Sequence, residues 1–323
     1  MPRDGRPEPN DLGHDFVTSS TTATEQIEAR IKACYSTWSE RYYAEYYKSD
    51  AAYPPVHTDI VRELLRSEDI HSVLDAGCGP ASMLRDLNDL GLNLYGFDLT
   101  PEMVTEARRI MSGHGLSADR IWRGSVLENA SFLAASDGRK QFDAGICFGV
   151  LPHIPMGSEE VVLANFKQVI RPGGLVAIEA RNELFSLFTL NRYSRAFFQE
   201  RLLAADGLLQ RAGTELEGLG RALRQLDERF RMDLPLVRKG YDTEPGYDEV
   251  LSRLHNPFEL AQLAREQGLV DVRVLFYHYH SLPPMLHSFA PELFRRESLA
   301  LEDPNDWRGH FMASAFILVA RVA

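Results

Sequence analysis

An acidic residue followed by a Gly-x-Gly turn is the feature of this sequence that points most directly to ligand chemistry. Asp75 closely precedes Gly77 and Gly79, after an apolar run that predicts a strand and before a pattern that predicts a helix. Glycines let a loop adopt positive φ angles and approach a ligand closely, and the following helix presents unpaired backbone N–H groups to it. The stretch therefore predicts the first strand, ligand-binding loop and helix of a doubly wound α/β domain.

The residues around this loop distinguish between two classes of adenosine-containing ligand. The third glycine of the dinucleotide fingerprint is missing, because Gly79 is followed by Pro80, Ala81 and Ser82. The Asp75 carboxylate would repel a pyrophosphate but would attract a ligand that carries an ammonium group. These features favour S-adenosylmethionine over NAD.

Four segments in sequence order resemble the motifs of class I S-adenosylmethionine-dependent methyltransferases of the small-molecule type. They are 75–79 (DAGCG), 96–100 (GFDLT), 142–147 (FDAGIC) and 163–178, which includes an Arg-Pro-Gly-Gly turn. The resemblance covers residues 70–180, with a weaker match at the end of the chain. It implies a transferase with S-adenosyl-L-methionine as its cofactor.

The resemblance and the order of predicted elements together define the expected architecture. We expect an α/β protein with a doubly wound, Rossmann-like, seven-stranded sheet, in which six strands are parallel and the last is antiparallel, with helical lid and cap insertions. The expected divisions are a disordered tail (1–23), an N-terminal helical lid (24–69), the methyltransferase core (70–182 and 256–323) and a helical substrate-cap insertion (183–255). A second cap-like loop is expected over 281–310.

The cofactor contacts that the resemblance implies follow the first four strands. Asp98 lies beyond Gly79 at about the separation at which a carboxylate accepts hydrogen bonds from a ribose diol. Its alternative role is a helix cap, which Thr100 before Pro101 already fills. Where Ser125 stands, the family often has an acidic residue that accepts a hydrogen bond from the adenine amino group, and a serine oxygen can also accept one. The expected cofactor-binding residues are Asp75, Gly77, Cys78, Gly79, Asp98, Leu99, Met103, Ser125, Val126, Phe148 and Gly149.

Histidines are the candidates for the group that removes a proton from the methyl acceptor. His153 follows the fourth predicted strand, whose end lies beside the transferable methyl group in the family, and a neutral imidazole can take a proton near neutral pH. The alternative is a histidine that only braces the loop. Strand alternation places His278 and His280 on one face of the sixth predicted strand, where they are read as pocket histidines rather than as half of a metal site. We expect no metal, because the spacing offers no third ligand.

Aromatic and basic residues of the lid and the insertion are the candidates for contact with the methyl acceptor. Tyr43 and Tyr47 belong to the most aromatic segment of a helix predicted over 24–48, and their alternative role is at the rim of a packed helix. Arg181, Phe185 and Tyr193 begin the insertion, which leaves the sheet at its ligand-binding edge. Plain helical packing or a homodimer surface is the alternative interpretation of the insertion.

Composition narrows the choice of partner. The chain has a formal net charge of −11, which disfavours a nucleic-acid substrate held in a basic groove. No apolar run approaches the length of a membrane span, so no membrane association is expected. The three cysteines, Cys34, Cys78 and Cys147, predict free thiols and a cytoplasmic location.

These observations predict methyl transfer from S-adenosyl-L-methionine to an oxygen or nitrogen of a small molecule, such as a secondary metabolite, a quinone-like compound or a sugar derivative. One alternative is a protein or RNA methyltransferase, which would need a basic, extended groove. Another is a binding protein that keeps the fold without the chemistry, for which Ser125 is the supporting feature. An NAD enzyme is disfavoured by the glycine loop.

Overall fold

Seven strands form one mixed sheet in the order β3-β2-β1-β4-β5-β7-β6 in the computed structural model, which describes residues 15–36, 54–66, 69–135, 142–233 and 250–323. The strands are β1 (Ser72–Ala76), β2 (Asn93–Asp98), β3 (Ile121–Arg123), β4 (Phe142–Cys147), β5 (Ile170–Arg181), β6 (Leu269–Tyr279) and β7 (Ala313–Val322). Strands β1 to β5 pair in parallel, and β7 runs antiparallel to both β5 and β6. This confirms the predicted fold class, with six parallel strands and an antiparallel last one.

Helices cover both faces of the sheet. Those of the core are α1 (Asp15–Tyr35), α2 (Val56–Arg66), α3 (Ser82–Asp86), α4 (Pro101–Gly113), α5 (Asn129–Leu133) and α6 (Glu159–Val169). The insertion contains α7 (Ser186–Thr189), α8 (Arg192–Ala196), a π-helix (Phe197–Leu202), α9 (Ala205–Arg211) and α10 (Leu216–Asp227). The chain continues with α11 (Pro257–Glu266), α12 (Pro291–Ala300) and α13 (Gly309–Met312). The described part of the chain contains no helix that is long and apolar enough to cross a membrane.

The central strand β1 is buried on both faces because successive side chains of a strand point in opposite directions. Val73 and Leu74 are fully buried, and each packs into a different one of two large apolar clusters. A parallel sheet covered by helices on both sides needs such apolar strands. The carboxyl ends of β1, β2 and β4 consequently meet at one edge, where Asp75 pairs in register with Gly96 and Ile146.

The insertion leaves and rejoins the sheet at the same point. Asn182 and His255 form a backbone bridge, so the two ends of the insertion are held together beside β5. The buried Asn182 side chain donates to the carbonyl oxygens of Gly309, His310 and Ala313. These bonds fasten the base of the insertion to the segment that enters β7.

Helix α10 carries four leucines, at positions 216, 219, 223 and 226, and none of its residues is buried. Residues 234–249, which come after it, lie outside the described residues. Both interpretations of the insertion, as a substrate cap and as a surface for packing or dimerisation, therefore stay predictions.

The N-terminal region differs from the expected tail. Helix α1 begins at Asp15, so residues 15–23 of the predicted disordered tail are helical. Extending a helix costs much less than nucleating one, so a stretch that would not form a helix alone can continue an existing one. The continuation predicted to Lys48 is described only as far as Tyr35, and Tyr43 and Tyr47 lie outside the described residues.

Candidate functional site

A cavity opens at the carboxyl edge of the sheet, between the ends of β1 to β4 and helix α1. It contains about 920 Å³ of space not filled by protein atoms. All eleven residues expected to bind the cofactor line it, namely Asp75, Gly77, Cys78, Gly79, Asp98, Leu99, Met103, Ser125, Val126, Phe148 and Gly149. The sequence thus predicted which residues come together, while their contact with a cofactor stays a prediction.

The glycine loop after β1 requires residues without a Cβ atom. Gly77 and Gly79 have φ angles of 84° and 51°, in the left-handed region that disfavours other residues. A Cβ atom on Gly77 would overlap Cγ2 of Val150 in the loop after β4. The amides of Gly77 and Cys78 both donate to the carbonyl oxygen of Phe97, at 2.8 and 2.9 Å. The loop is therefore folded tightly over the end of β2, with its glycines at the cavity wall.

Asp98 connects this loop to the helix that follows β2. Its two carboxyl oxygens accept hydrogen bonds from the backbone amides of Gly79, at 2.9 Å, and Thr100, at 2.8 Å. Burial raises the pKa of the Asp98 carboxyl group, and the hydrogen bonds from Thr100 and Gly79 act in the opposite direction. Thr100 and Pro101 occupy the cap and first positions of α4, as predicted. The carboxylate thus faces the cavity with its orientation fixed by the backbone.

Asp75 is the second acidic group of the cavity, and its environment is less favourable for an ionised carboxylate than that of Asp98. The Asp75 side chain is only 2% exposed. Burial, with the nearby Asp98 as a further cause, raises the pKa of Asp75 to about 8. In the part of the chain that the structure describes, no hydrogen-bond donor reaches its carboxyl group. A cationic ligand would compensate both carboxylates, whereas an anionic one would be repelled.

The rest of the cavity is largely apolar. Leu99, Met103 and Val126 line it together with Ile27 and Ile31 of α1. Both isoleucines belong to the segment that was predicted as a helical lid. Their helical spacing, which continues to Tyr35, is the signal that this face of α1 meets the cavity.

Two polar residues of α1 also line the cavity and were missed. Glu28 Oε1 accepts a hydrogen bond of 2.7 Å from the hydroxyl group of Ser125, and Tyr35 Oη lies 2.9 Å from Nε2 of His153. Each contact spans about a hundred residues of sequence, so no local pattern indicates it.

The hydrogen bonds of His153 define which of its ring nitrogens carries the proton. Nδ1 lies 2.6 Å from the carbonyl oxygen of Leu251, which can only accept, so Nδ1 is the protonated nitrogen. Nε2 is consequently the accepting nitrogen, and it accepts from the Tyr35 hydroxyl group. Burial lowers the pKa of His153 to about 4, so the ring is neutral at physiological pH. A neutral imidazole with an accepting nitrogen therefore lies at the wall of the cavity.

The other two candidate histidines do not line this cavity. The strand alternation from which a common face of His278 and His280 was predicted does not continue through both residues, because His278 has a left-handed φ of 59° and β6 ends at Tyr279. His278 lines a separate cavity with Glu302, and its ring lies 6.1 Å from that of His57. His280 packs against Phe185, with ring centres 4.7 Å apart. Within the described residues, no group of histidine, cysteine and acidic side chains is arranged to hold a metal ion.

The candidates for acceptor binding on the insertion also lie outside this cavity. Arg181 donates to the hydroxyl group of Ser252, and Phe185 packs on His280. Tyr193 lines a groove at the base of the insertion beside Arg201 and Glu259. Arg181 ends β5, and Phe185 and Tyr193 lie on short helical turns whose packing the sequence does not indicate. The role of these three residues in acceptor binding stays a prediction.

We expect an alanine at position 77 to disturb the protein more than an alanine at another glycine with positive φ. Gly91 has a φ of 68° and open space around it, so Gly91→Ala carries only the cost of the left-handed conformation, about 1–2 kcal/mol. Gly77→Ala adds the overlap with Val150, at about 1–3 kcal/mol. The free energy of unfolding, measured by chemical denaturation, checks this difference.

The pair Gly77→Ala and Val150→Ala separates the overlap from the backbone strain. The double variant should be less stable than Val150→Ala alone by about as much as Gly91→Ala is less stable than the unchanged protein. Equal costs for Gly77→Ala and Gly91→Ala in the otherwise unchanged protein would contradict the close approach of the two loops.

Comparisons with known proteins agree with this geometry. Residues 73–174 match a methyltransferase domain family. Among curated proteins, the chain is 22% identical over 157 residues to a ubiquinone biosynthesis O-methyltransferase of Actinobacillus pleuropneumoniae serotype 7, covering 47% of this chain and 65% of the relative. A protein of the same name from Shewanella pealeana is 30% identical over 138 residues, covering 43% of this chain and 51% of the relative. The chain thus spans less than two thirds of either relative's length.

A solved structure, that of a SAM dependent methyltransferase from Archaeoglobus fulgidus, matches 82% of this chain and 94% of its own. Its sequence identity is 14% and its TM-score is 0.44, which is too low a similarity to carry a conclusion about the site. The family match spans β1 to the start of β5, which is the part of the sheet that builds the glycine loop and most of the cavity wall. The matched family and the order of the strands are those expected of a class I S-adenosylmethionine-dependent methyltransferase.

Proposed function

We propose that this chain transfers the methyl group of S-adenosyl-L-methionine to a hydroxyl oxygen of a small molecule. The observation that carries the proposal is the pair of carboxyl groups, buried Asp75 and half-buried Asp98, at the glycine loop of a largely apolar cavity. A ligand that combines a cationic amino acid end, a diol and a flat base complements this arrangement of charge and apolar surface.

Residues of the cavity would contact three parts of such a ligand. Asp75 would pair with its ammonium group, since burial makes an uncompensated carboxylate there unfavourable. Asp98 would accept hydrogen bonds from the ribose hydroxyl groups, with its orientation held by Gly79 and Thr100. Leu99 and Met103 would flank the adenine ring. When bound, S-adenosylmethionine supplies a methyl group that its sulfonium sulfur already activates.

The contribution of the chain is then to position the acceptor, to exclude water and to remove one proton. His153 Nε2 is the accepting ring nitrogen at the cavity wall, because Nδ1 donates to the carbonyl oxygen of Leu251. Nε2 would receive the proton of the acceptor hydroxyl group as that oxygen takes up the methyl group and S-adenosylhomocysteine leaves. Tyr35 donates to Nε2 in the free protein. The hydroxyl group of the acceptor would therefore either displace the tyrosine or pass its proton to Nε2 through the tyrosine hydroxyl group.

The choice of a small hydroxylated acceptor has two supports. The curated relatives are named for O-methylation in ubiquinone biosynthesis, which favours a phenolic or quinone-like acceptor for this chain too. The net charge of −11 is unfavourable for an acceptor that carries many phosphates.

Binding of S-adenosylhomocysteine, compared with binding of NAD, tests the cofactor assignment by titration calorimetry. We expect the protein to bind S-adenosylhomocysteine and not NAD. Asp98→Asn should weaken this binding by about tenfold or more, because it replaces charge-assisted hydrogen bonds with neutral ones. Asp119→Ala, at an exposed aspartate of a neighbouring turn, should leave it unchanged. Binding of NAD alone, or an equal effect of both substitutions, would overturn the proposal.

The pH dependence of methyl transfer to a phenolic acceptor tests His153. Its pKa of about 4 keeps the ring neutral above that pH, so we expect no loss of rate from protonation of this histidine between about pH 8 and 5.5. At about pH 7, His153→Gln should lower kcat by about 100-fold, and the loss should shrink as the pH approaches the acceptor's own pKa. Initial rates with methyl-labelled cofactor measure both effects.

His114→Gln, at an exposed histidine, is the matched control and should behave as the unchanged protein. If the loss in His153→Gln is the same at every pH, His153 only positions its neighbours. A fall in the rate of the unchanged protein around the ordinary histidine pKa of about 6.5, absent in His153→Gln, would contradict the lowered pKa.

A further inference from the structure

The contact between Ser125 and Glu28 brings an acidic side chain to a part of the cavity where the sheet provides none. Ser125 follows β3, whereas Glu28 lies on α1, and the hydroxyl group of Ser125 donates to Glu28 Oε1 at 2.7 Å. Both residues line the cavity. The serine is 5% exposed, and the glutamate is partly exposed.

The remaining hydrogen bonds of Ser125 fix its orientation. Its backbone amide donates to Ser131 Oγ at 3.0 Å, and its own hydroxyl oxygen accepts from the amide of Leu127 at 3.2 Å. A hydroxyl group has a single hydrogen to donate, and that hydrogen is directed at Glu28. Ser125 therefore holds one oxygen of the Glu28 carboxylate and leaves the other oxygen available to a donor in the cavity.

The surroundings of this carboxylate describe the group that it would bind. Met103 of α4 and Val126 after β3 line the cavity together with Ile27 and Ile31 of α1. A flat ring fits between such apolar side chains, and a carboxylate at the edge of the ring accepts from an amino group there. The two carboxyl groups of the sheet lie at the ends of β1 and β2. Glu28 is thus a third carboxylate of the cavity, contributed by α1.

We propose that Glu28, held in place by Ser125, accepts a hydrogen bond from the 6-amino group of the adenine ring and so selects an adenine-containing cofactor. This inference rests on the proposed function. It assigns to helix α1 the acidic group that the family often carries on the sheet at the position of Ser125. Recognition of the base and closure of the helix over the cofactor then depend on the same contact.

Two ligands that differ at the 6-position of the purine test this role. S-adenosylhomocysteine has a 6-amino donor, whereas S-inosylhomocysteine has a 6-oxo acceptor that a carboxylate repels. We expect the unchanged protein to prefer the adenine ligand by at least about tenfold. Glu28→Gln should reduce the preference to about threefold or less, since an amide can turn either its oxygen or its nitrogen to the ligand. Calorimetry with both ligands measures the ratio.

Two further variants make the test specific. Glu25→Gln, at an exposed residue one turn earlier on α1, should keep the preference of the unchanged protein. Ser125→Asp combined with Glu28→Gln should restore the preference, because it moves the carboxylate to the sheet. Circular dichroism shows whether each variant is folded.

The outcomes separate this inference from the proposed function. If the unchanged protein binds neither ligand, the proposed function fails and the inference with it. If it binds S-adenosylhomocysteine but does not discriminate, or if Glu28→Gln discriminates as well as the unchanged protein, the inference alone is overturned. Weaker binding of both ligands in Glu28→Gln with an unchanged ratio and no rescue by Ser125→Asp would reduce Glu28 to a role in helix docking, which also overturns it.

Discussion

Two carboxyl groups side by side at the carboxyl ends of β1 and β2, one buried and one half-buried, are the constraint on which the arrangement of the site depends. Asp75 and Asp98 lie next to each other because their strands are hydrogen-bonded neighbours in a parallel sheet. Burial and their mutual repulsion favour the protonated form of Asp75 in the free protein. Hydrogen bonds from Gly79 and Thr100 offset part of the cost at Asp98. Ionisation of the two carboxyl groups is therefore unfavourable in the empty cavity, and a bound cation would make it favourable.

The glycine loop and helix α1 lie at the same carboxyl edge of the sheet as this pair of carboxyl groups. The glycine loop can fold over β2 only because Gly77 has no side chain to meet Val150. Helix α1 covers the opening and brings Glu28 and Tyr35 to the polar atoms of Ser125 and His153. Residues of the sheet edge and of α1 therefore meet at the cavity, and among the described contacts two side-chain hydrogen bonds and an apolar face join them.

The sequence predicted the sheet and its cavity-lining residues well, because the signals there are local. A buried strand followed by glycines, as at Gly77, or by an aspartate and a capped helix, as at Asp98, can be read without knowledge of distant contacts. The order of these segments then defines the topology. The same reasoning does not extend through His278, because a left-handed residue inside a strand interrupts the alternation of side chains, and no sequence pattern indicates it. It also missed Glu28 and Tyr35, whose partners are far along the chain.

Proton release on cofactor binding tests the central role of the carboxyl pair most directly. With a pKa of about 8, Asp75 is mostly protonated in the free protein at neutral pH, and an ammonium group beside it favours the ionised form. Titration with S-adenosylhomocysteine in buffers of different ionisation enthalpy should therefore show release of about one proton at about pH 7, declining above about pH 9 and absent in Asp75→Asn. Binding without proton release, or with the same release in Asp75→Asn, would contradict this account.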